Sequence, residues 1–129
     1  MKTLHILAGT ALLALLPALG HAQAYPSKPI RIIAPFPAGS GPDANARELA
    51  AEHPKHLGQT VLVETKPGAS SMIGTDLGAK AAPDGYTLGV GSTTSLSTVP
   101  HLYAKVPYNA EKDFVPISLL GVLNTGLVA

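Results

Sequence analysis

Three times in succession the chain runs from a short apolar stretch into a loop that can be neither helix nor strand, and then into a helical segment. The first stretch, residues 29–35, carries Ile30, Ile32 and Ile33 and empties into Pro35-Phe36-Pro37-Ala38-Gly39-Ser40-Gly41-Pro42. The second, residues 60–64, leads into Pro67-Gly68-Ala69-Ser70-Ser71, and the third, residues 86–90, into Gly91-Ser92-Thr93-Thr94-Ser95. Short β-branched runs bounded by Gly and Pro read as buried strands. Strands that alternate with helices pack as a parallel sheet with helices on its faces, joined by right-handed crossovers. The predicted fold class is therefore α/β, parallel-rich, with flanking helices. All three loops then fall at the carboxyl ends of their strands, the edge where open α/β sheets bind ligands.

The helices are expected from Asp43 through Ala44, Ala46, Leu49 and Ala50, over residues 72–82 with Met72, Leu77 and Ala81 inward, and around residues 96–103. Pro42 and Asp43 suit a helix start. Pro54 cannot sit inside a helix, because it lacks an N–H and clashes with the preceding turn. The first helix should end near Glu52 or kink there, with a further turn over 55–57 stopped by Gly58. Residues 116–122 are predicted as a fourth strand, and residues 125–129 as the start of a fifth.

The N-terminus has a different character. Lys2 precedes an apolar run containing Leu4, Ile6, Leu7, Leu12, Leu13, Leu15 and Leu16, then Pro17, Gly20 and Ala22-Gln23-Ala24. A basic start, an apolar stretch too short for a bilayer span and an A-x-A site define a secretory signal peptide over residues 1–24, cleaved near Ala24. Lys2 is the one basic residue in that segment, so of the 9 Lys and Arg only Lys2 is lost, while all 8 Asp and Glu are kept. The remainder is formally neutral and has no basic stripe, which argues against a nucleic-acid partner. With Cys 0, disulfides and thiolate metal sites are excluded.

Loops of this composition suit a small anion. Glycines let backbone amides approach a ligand closely, and a helix N-terminus points free N–H groups and partial positive charge at it. A carboxylate can bind there without Arg or Lys, and none occurs in residues 35–42, 67–71 or 91–95. The candidate ligand-binding residues are Phe36, Ala38, Gly39, Ser40 and Asp43 from the first loop, Gly68, Ala69 and Ser70 from the second, and Ser92 and Thr93 from the third. The same residue types also make ordinary turns and caps. Gly39-Ser40-Gly41-Pro42-Asp43-Ala44 further fits G-x-G-x-x-A, with Glu64 ending the next strand, as in a dinucleotide fold. Export away from the nicotinamide pool, a proline-stiffened loop and a second Gly loop count against that reading, and no cofactor is expected.

An enzyme would need a nucleophile–base pair or a metal cluster. Ser92 lacks the closing Gly of a nucleophile elbow. His53 and His56 lie three apart with no acidic residue at a zinc-motif spacing, and His101 lies in Val99-Pro100-His101-Leu102-Tyr103. The residues read as neither catalytic nor metal-binding.

Tyr25-Pro26-Ser27-Lys28-Pro29-Ile30-Arg31 followed by Pro35-Phe36-Pro37-Ala38-Gly39 resembles the mature N-terminus of the Bug-type receptors, the periplasmic solute-binding proteins of tripartite tricarboxylate transporters. Leu57-Gly58-Gln59, Pro67-Gly68-Ala69, Ile73-Gly74, residues 81–88 and Lys112-Asp113-Phe114 continue the likeness in order. Ser40, Pro42, Ser70-Ser71-Met72 and His53-Pro54 depart from the family pattern, which has a Gly, a small or polar residue, Gly-Gly-Asn and a continuous helix at those places. The resemblance implies a fold like the type II periplasmic binding proteins, two lobes closing on a small carboxylate, with integral membrane transporter subunits as partners. It implies that residues 25–122 form an incomplete first lobe and residues 123–129 the start of a connection to a second. The alternative is an exported interaction module that binds no small molecule.

Overall fold

The computed structural model describes residues 24–122. Three strands, β1 (Ile30–Ala34), β2 (Val61–Thr65) and β3 (Thr87–Gly89), form one parallel sheet in the order β2-β1-β3. Ile30 pairs with Val61, Ile32 with both Val63 and Leu88, and Ile33 with Gly89. The ladder runs on into the loops, where Ala34 O accepts from Lys66 N–H at 2.9 Å and Ile33 O from Val90 N–H at 2.9 Å. The middle strand is thus the most apolar of the three, as a strand covered on both faces must be.

Helix α1 (Gly41–Glu52) and the short helix α2 (Pro54–Leu57) connect β1 to β2; α3 (Met72–Ala79) connects β2 to β3. Side chains alternate across a strand. Ile30, Ile32 and Ala34 therefore share the face covered by α1, where Ala46 is fully buried and Leu49, Ala50 and Leu57 pack around the cluster. Ile33 points the other way and is also fully buried, on the face where α3 contacts β1 and β3. After β3 the chain makes a π-helical turn (Thr94–Thr98) that runs directly into α4 (Val99–Leu102). The buried Val99 anchors this unit.

The break at Pro54 falls between two helices. His53 N–H still donates to Leu49 O at 2.9 Å, and Pro54 takes the first position of α2, where no N–H is needed. Gly58, at φ 66, stops α2 in the left-handed conformation and donates to Pro54 O.

Two sequence expectations are corrected. Residues 116–122 are not a strand: they carry no regular structure and no ladder partner, and Val115, Ile117, Leu119 and Val122 are exposed. An apolar run becomes a strand only when an edge is available to satisfy its N–H and C=O groups, and neither edge of the described sheet receives it. Helix α3 ends at Ala79 rather than residue 82, and its buried residues are Gly74 and Thr75, while Leu77 is exposed. At Gly74 the helix lies against Pro35 and Lys66 O, just beyond the ends of β1 and β2, with no room for an inward side chain. The predicted signal peptide before Ala24 and the strand at 125–129 fall outside the described residues.

Candidate functional site

Three loops, residues 35–40, 66–71 and 90–93, crown the carboxyl edge of the sheet. Because β1 leads to β2 on one side and the chain then returns to β3 on the other, connections diverge between β1 and β3, the switch point where such sheets leave a crevice.

The first loop is built around Asp43. This residue is fully buried, one turn into α1. Its Oδ2 accepts from Gly39 N–H at 2.9 Å and from Arg47 Nε at 2.9 Å; its Oδ1 accepts from Arg47 Nη2 at 3.2 Å and from the Thr65 hydroxyl at 3.1 Å. The Arg47 guanidinium, helped by the Gly39 amide, holds the carboxyl down at about 2. Arg47 also donates to Thr65 Oγ1 at 3.0 Å, so the network joins the first loop to the end of β2. Ser40 N–H and hydroxyl both donate to Pro37 O, at 3.2 and 2.7 Å.

This revises the expected donor set. Gly39 and Ser40 were predicted to offer amides to a ligand, but the protein's own carboxylate and carbonyl already take them. Asp43 is a part of the scaffold that shapes the loop, not a group facing outward. Ala38 N–H is the one expected donor of this loop with no acceptor among the described residues, and Phe36 is half-buried at the edge of the core.

The second loop adopts a conformation rare outside glycine. Gly68 has φ 124, and Ala69, Ser70 and Ser71 have φ 47, 55 and 72. Three successive side-chain-bearing residues in the left-handed region carry steric strain. Met72 N–H donates to Ala69 O at 3.1 Å, and both the amide and the hydroxyl of Thr75 reach Ser71 O, at 3.1 and 2.8 Å. Ser70 Oγ meets the Tyr103 hydroxyl at 2.9 Å. The N–H groups of Ala69, Ser70 and Ser71 have no acceptor among the described residues. The loop packs straight onto the first: a Cβ on Gly74 would stand 2.6 Å from Lys66 O and 2.7 Å from Pro35 Cβ.

In the third loop Ser92 is spent on structure. Its N–H donates to Ser95 Oγ at 3.1 Å, and its own hydroxyl accepts from Ser95 N–H at 3.2 Å, a reciprocal cap on the turn that follows. Ser95 is fully buried, and its carbonyl accepts from the Tyr108 hydroxyl. Burial pushes that phenol above its ordinary range. Thr93 is exposed at the start of the π-helical turn.

Two cations near this edge are already matched. Arg47 is paired with Asp43, and Lys66 turns back to Glu64 at 3.0 Å. Glu64, the position a dinucleotide ribose would need, is held by Lys66 and by Arg31 at 3.2 Å, with its carboxyl lowered chiefly by Lys66. His53 Nδ1 lies 2.8 Å from Leu49 O, on the surface away from the loops. Sequence reasoning missed Arg47, Thr65 and Tyr103. The i,i+4 spacing of Asp43 and Arg47 was a usable signal; nothing local pointed to Thr65 or Tyr103, which arrive from 22 and 33 residues away.

Comparison with known proteins places the chain in a family. Residues 45–129 match the tripartite tricarboxylate transporter family receptor, TctC. The chain belongs to that receptor family. BugT of Bordetella pertussis is 44% identical to it over 101 residues, 78% of this chain and 31% of BugT. Among solved structures, the periplasmic binding protein BugD shares 42% identity at a TM-score of 0.68, covering 72% of this chain and 31% of BugD. MatC of Rhodopseudomonas palustris with bound malate shares 36% identity at a TM-score of 0.71, covering 74% of this chain and 33% of MatC. The chain spans 31–40% of the length of the curated relatives it matches. The fold is accordingly that of part of a periplasmic binding protein, and the family is one of receptors rather than enzymes.

Proposed function

We propose that this chain supplies the first lobe, residues 25–122, of an extracytoplasmic receptor that captures a small carboxylate and presents it to the integral membrane subunits of a tripartite tricarboxylate transporter. Export would follow signal-peptide cleavage near Ala24 and place the receptor in the periplasm. The observation that carries the reading is the second loop: three adjacent amides, at Ala69, Ser70 and Ser71, lack acceptors among the described residues, at a sheet edge where Arg47 and Lys66 are both engaged by carboxylates. An anion drawn to that edge is met by oriented N–H groups and the start of α3. Ala38 N–H and the Thr93 hydroxyl extend the donor set across the crevice, and Phe36 gives it an apolar wall. MatC, built on the same fold, holds malate.

A hydrogen bond to a charged group contributes about 1.5–3 kcal/mol. Three or four give about 4.5–12 kcal/mol before the ordering cost, so micromolar binding, at about −8 kcal/mol, also draws on the apolar wall and on the exclusion of water by a second lobe. Titration calorimetry of the full-length protein with malate, adipate, citrate and glucose tests the reading. Binding of at least one acid and no heat with glucose is expected. Absence of binding by every acid, with capture of a membrane protein instead, would favour the interaction-module alternative.

A further inference from the structure

The left-handed run at Ala69, Ser70 and Ser71 needs something to hold it, since side-chain-bearing residues leave that region readily. Its downstream end is fixed by Met72 and Thr75, which bond back to Ala69 O and Ser71 O. The middle residue, Ser70, has one side-chain partner, the Tyr103 hydroxyl at 2.9 Å. Tyr103 stands on a fixed post. Its N–H closes α4 by donating to Val99 O at 3.1 Å, and Val99 is buried in the core. Tyr103 is 43% exposed, but a phenol has only two side-chain torsions, so holding its hydroxyl on Ser70 costs little conformational entropy.

Resting on the carboxylate-receptor reading, we infer that Tyr103 is a positioning residue for anion capture: through Ser70 Oγ it holds the amides of residues 69–71 in the left-handed arrangement that receives the carboxylate. The residue belongs to the third connection yet acts on the second loop, so the two sides of the crevice are tied across its mouth. A receptor with this tether meets its ligand with the amides already gathered. One without it must order the loop at the moment of binding and binds more weakly.

The test uses full-length Tyr103→Phe, Ser70→Ala and the double variant. Tyr103→Phe keeps the ring and removes only the hydroxyl. Calorimetry with malate, adipate and citrate should show each single variant weakening the tightest acid by about two- to tenfold, the range of one neutral hydrogen bond. The double variant should be no weaker than the worse single, because both remove the same contact. Without any ligand, amide hydrogen exchange at residues 69–71 should quicken in Tyr103→Phe while the unfolding midpoint stays at the wild-type value; a purely structural role would lower the midpoint and leave the loop no faster than the rest. Wild-type affinity and exchange in Tyr103→Phe, or additive losses in the double variant, overturn the inference alone. If the wild-type protein binds none of the three acids, the receptor reading falls and the inference falls with it.

Discussion

Helix α3 contains two glycines, and the structure assigns them opposite responses to the same substitution. Alanine in place of a helical glycine ordinarily stabilises by about 0.8–1 kcal/mol. At Gly78 the added Cβ would meet only Phe114 Cε1 at 3.8 Å, an ordinary contact, so Gly78→Ala should gain about 0.5–1 kcal/mol. At Gly74 the same Cβ would stand 2.6 Å from Lys66 O, 2.7 Å from Pro35 Cβ and 2.9 Å from Pro35 Cα. Those atoms belong to backbone and to a ring fused to it, and none can rotate aside. Overpacking of this kind costs about 1–3 kcal/mol, and with rigid neighbours on two sides the upper part of that range applies. Set against the propensity gain, Gly74→Ala should lose about 1–2 kcal/mol. Urea unfolding of the two full-length variants beside wild type measures both signs at once. The loss at Gly74 should also appear as weaker ligand binding, since the helix that shifts carries the second loop. Gly74→Ala at or above wild-type stability would refute the claim that α3 is seated directly on the first loop.

Asp43 gives a pH signature. Its folded-state carboxyl lies at about 2 against an ordinary 3.8, so its contribution to stability is complete above 3.8 and is lost as pH falls through about 2. The stability gap between wild type and Asp43→Asn should be constant above that window and close across it; a gap unchanged down to the acid limit would rule out the Arg47 pair as its source. Gly68→Val, which meets Ile73 Cδ1 at 2.7 Å from a backbone at φ 124, should weaken carboxylate binding sharply. Lys80→Ala should not, because Lys80 is exposed and paired with Asp76 at 2.7 Å; titration of both variants compares them, and the reverse order would remove the amide mechanism. N-terminal sequencing of the exported protein should begin at Tyr25, whose hydroxyl donates to Gly85 O at 2.8 Å and whose ring lies 5.1 Å from that of Tyr86; retention of Met1 would contradict cleavage.

The layered α/β architecture was legible because β-branched runs and Gly/Pro loops are local signals that tertiary packing reinforces. Ile30, Ile32 and Ile33 had to be buried on both faces, and Pro54 and Gly58 stopped helices by covalent geometry alone. Residues 116–122 misled for the opposite reason: their apolar character was real, but a strand is a relation to a neighbour, and no ladder partner meets them among the described residues. At the site, the loops were found and their internal economy was not. Composition identified amides able to meet an anion, yet whether Gly39 N–H is free depends on where the Asp43 carboxylate turns. The orientation of Asp43 depends in turn on Arg47 one turn on and on Thr65 at the end of the next strand. Long-range partners such as Ser70 and Tyr103 leave no periodic trace in a sequence.

The central claim is that a carboxylate is bound by backbone amides of the second loop and not by a side-chain cation. A crystal structure of the full-length protein with its tightest-binding acid measures this directly. The account predicts carboxylate oxygens about 2.7–3.1 Å from N–H groups of Ala69, Ser70 or Ser71, with Arg47 still on Asp43 and Lys66 still on Glu64. A carboxylate held by Arg47, Lys66 or another cation, with those amides left to solvent, would contradict it.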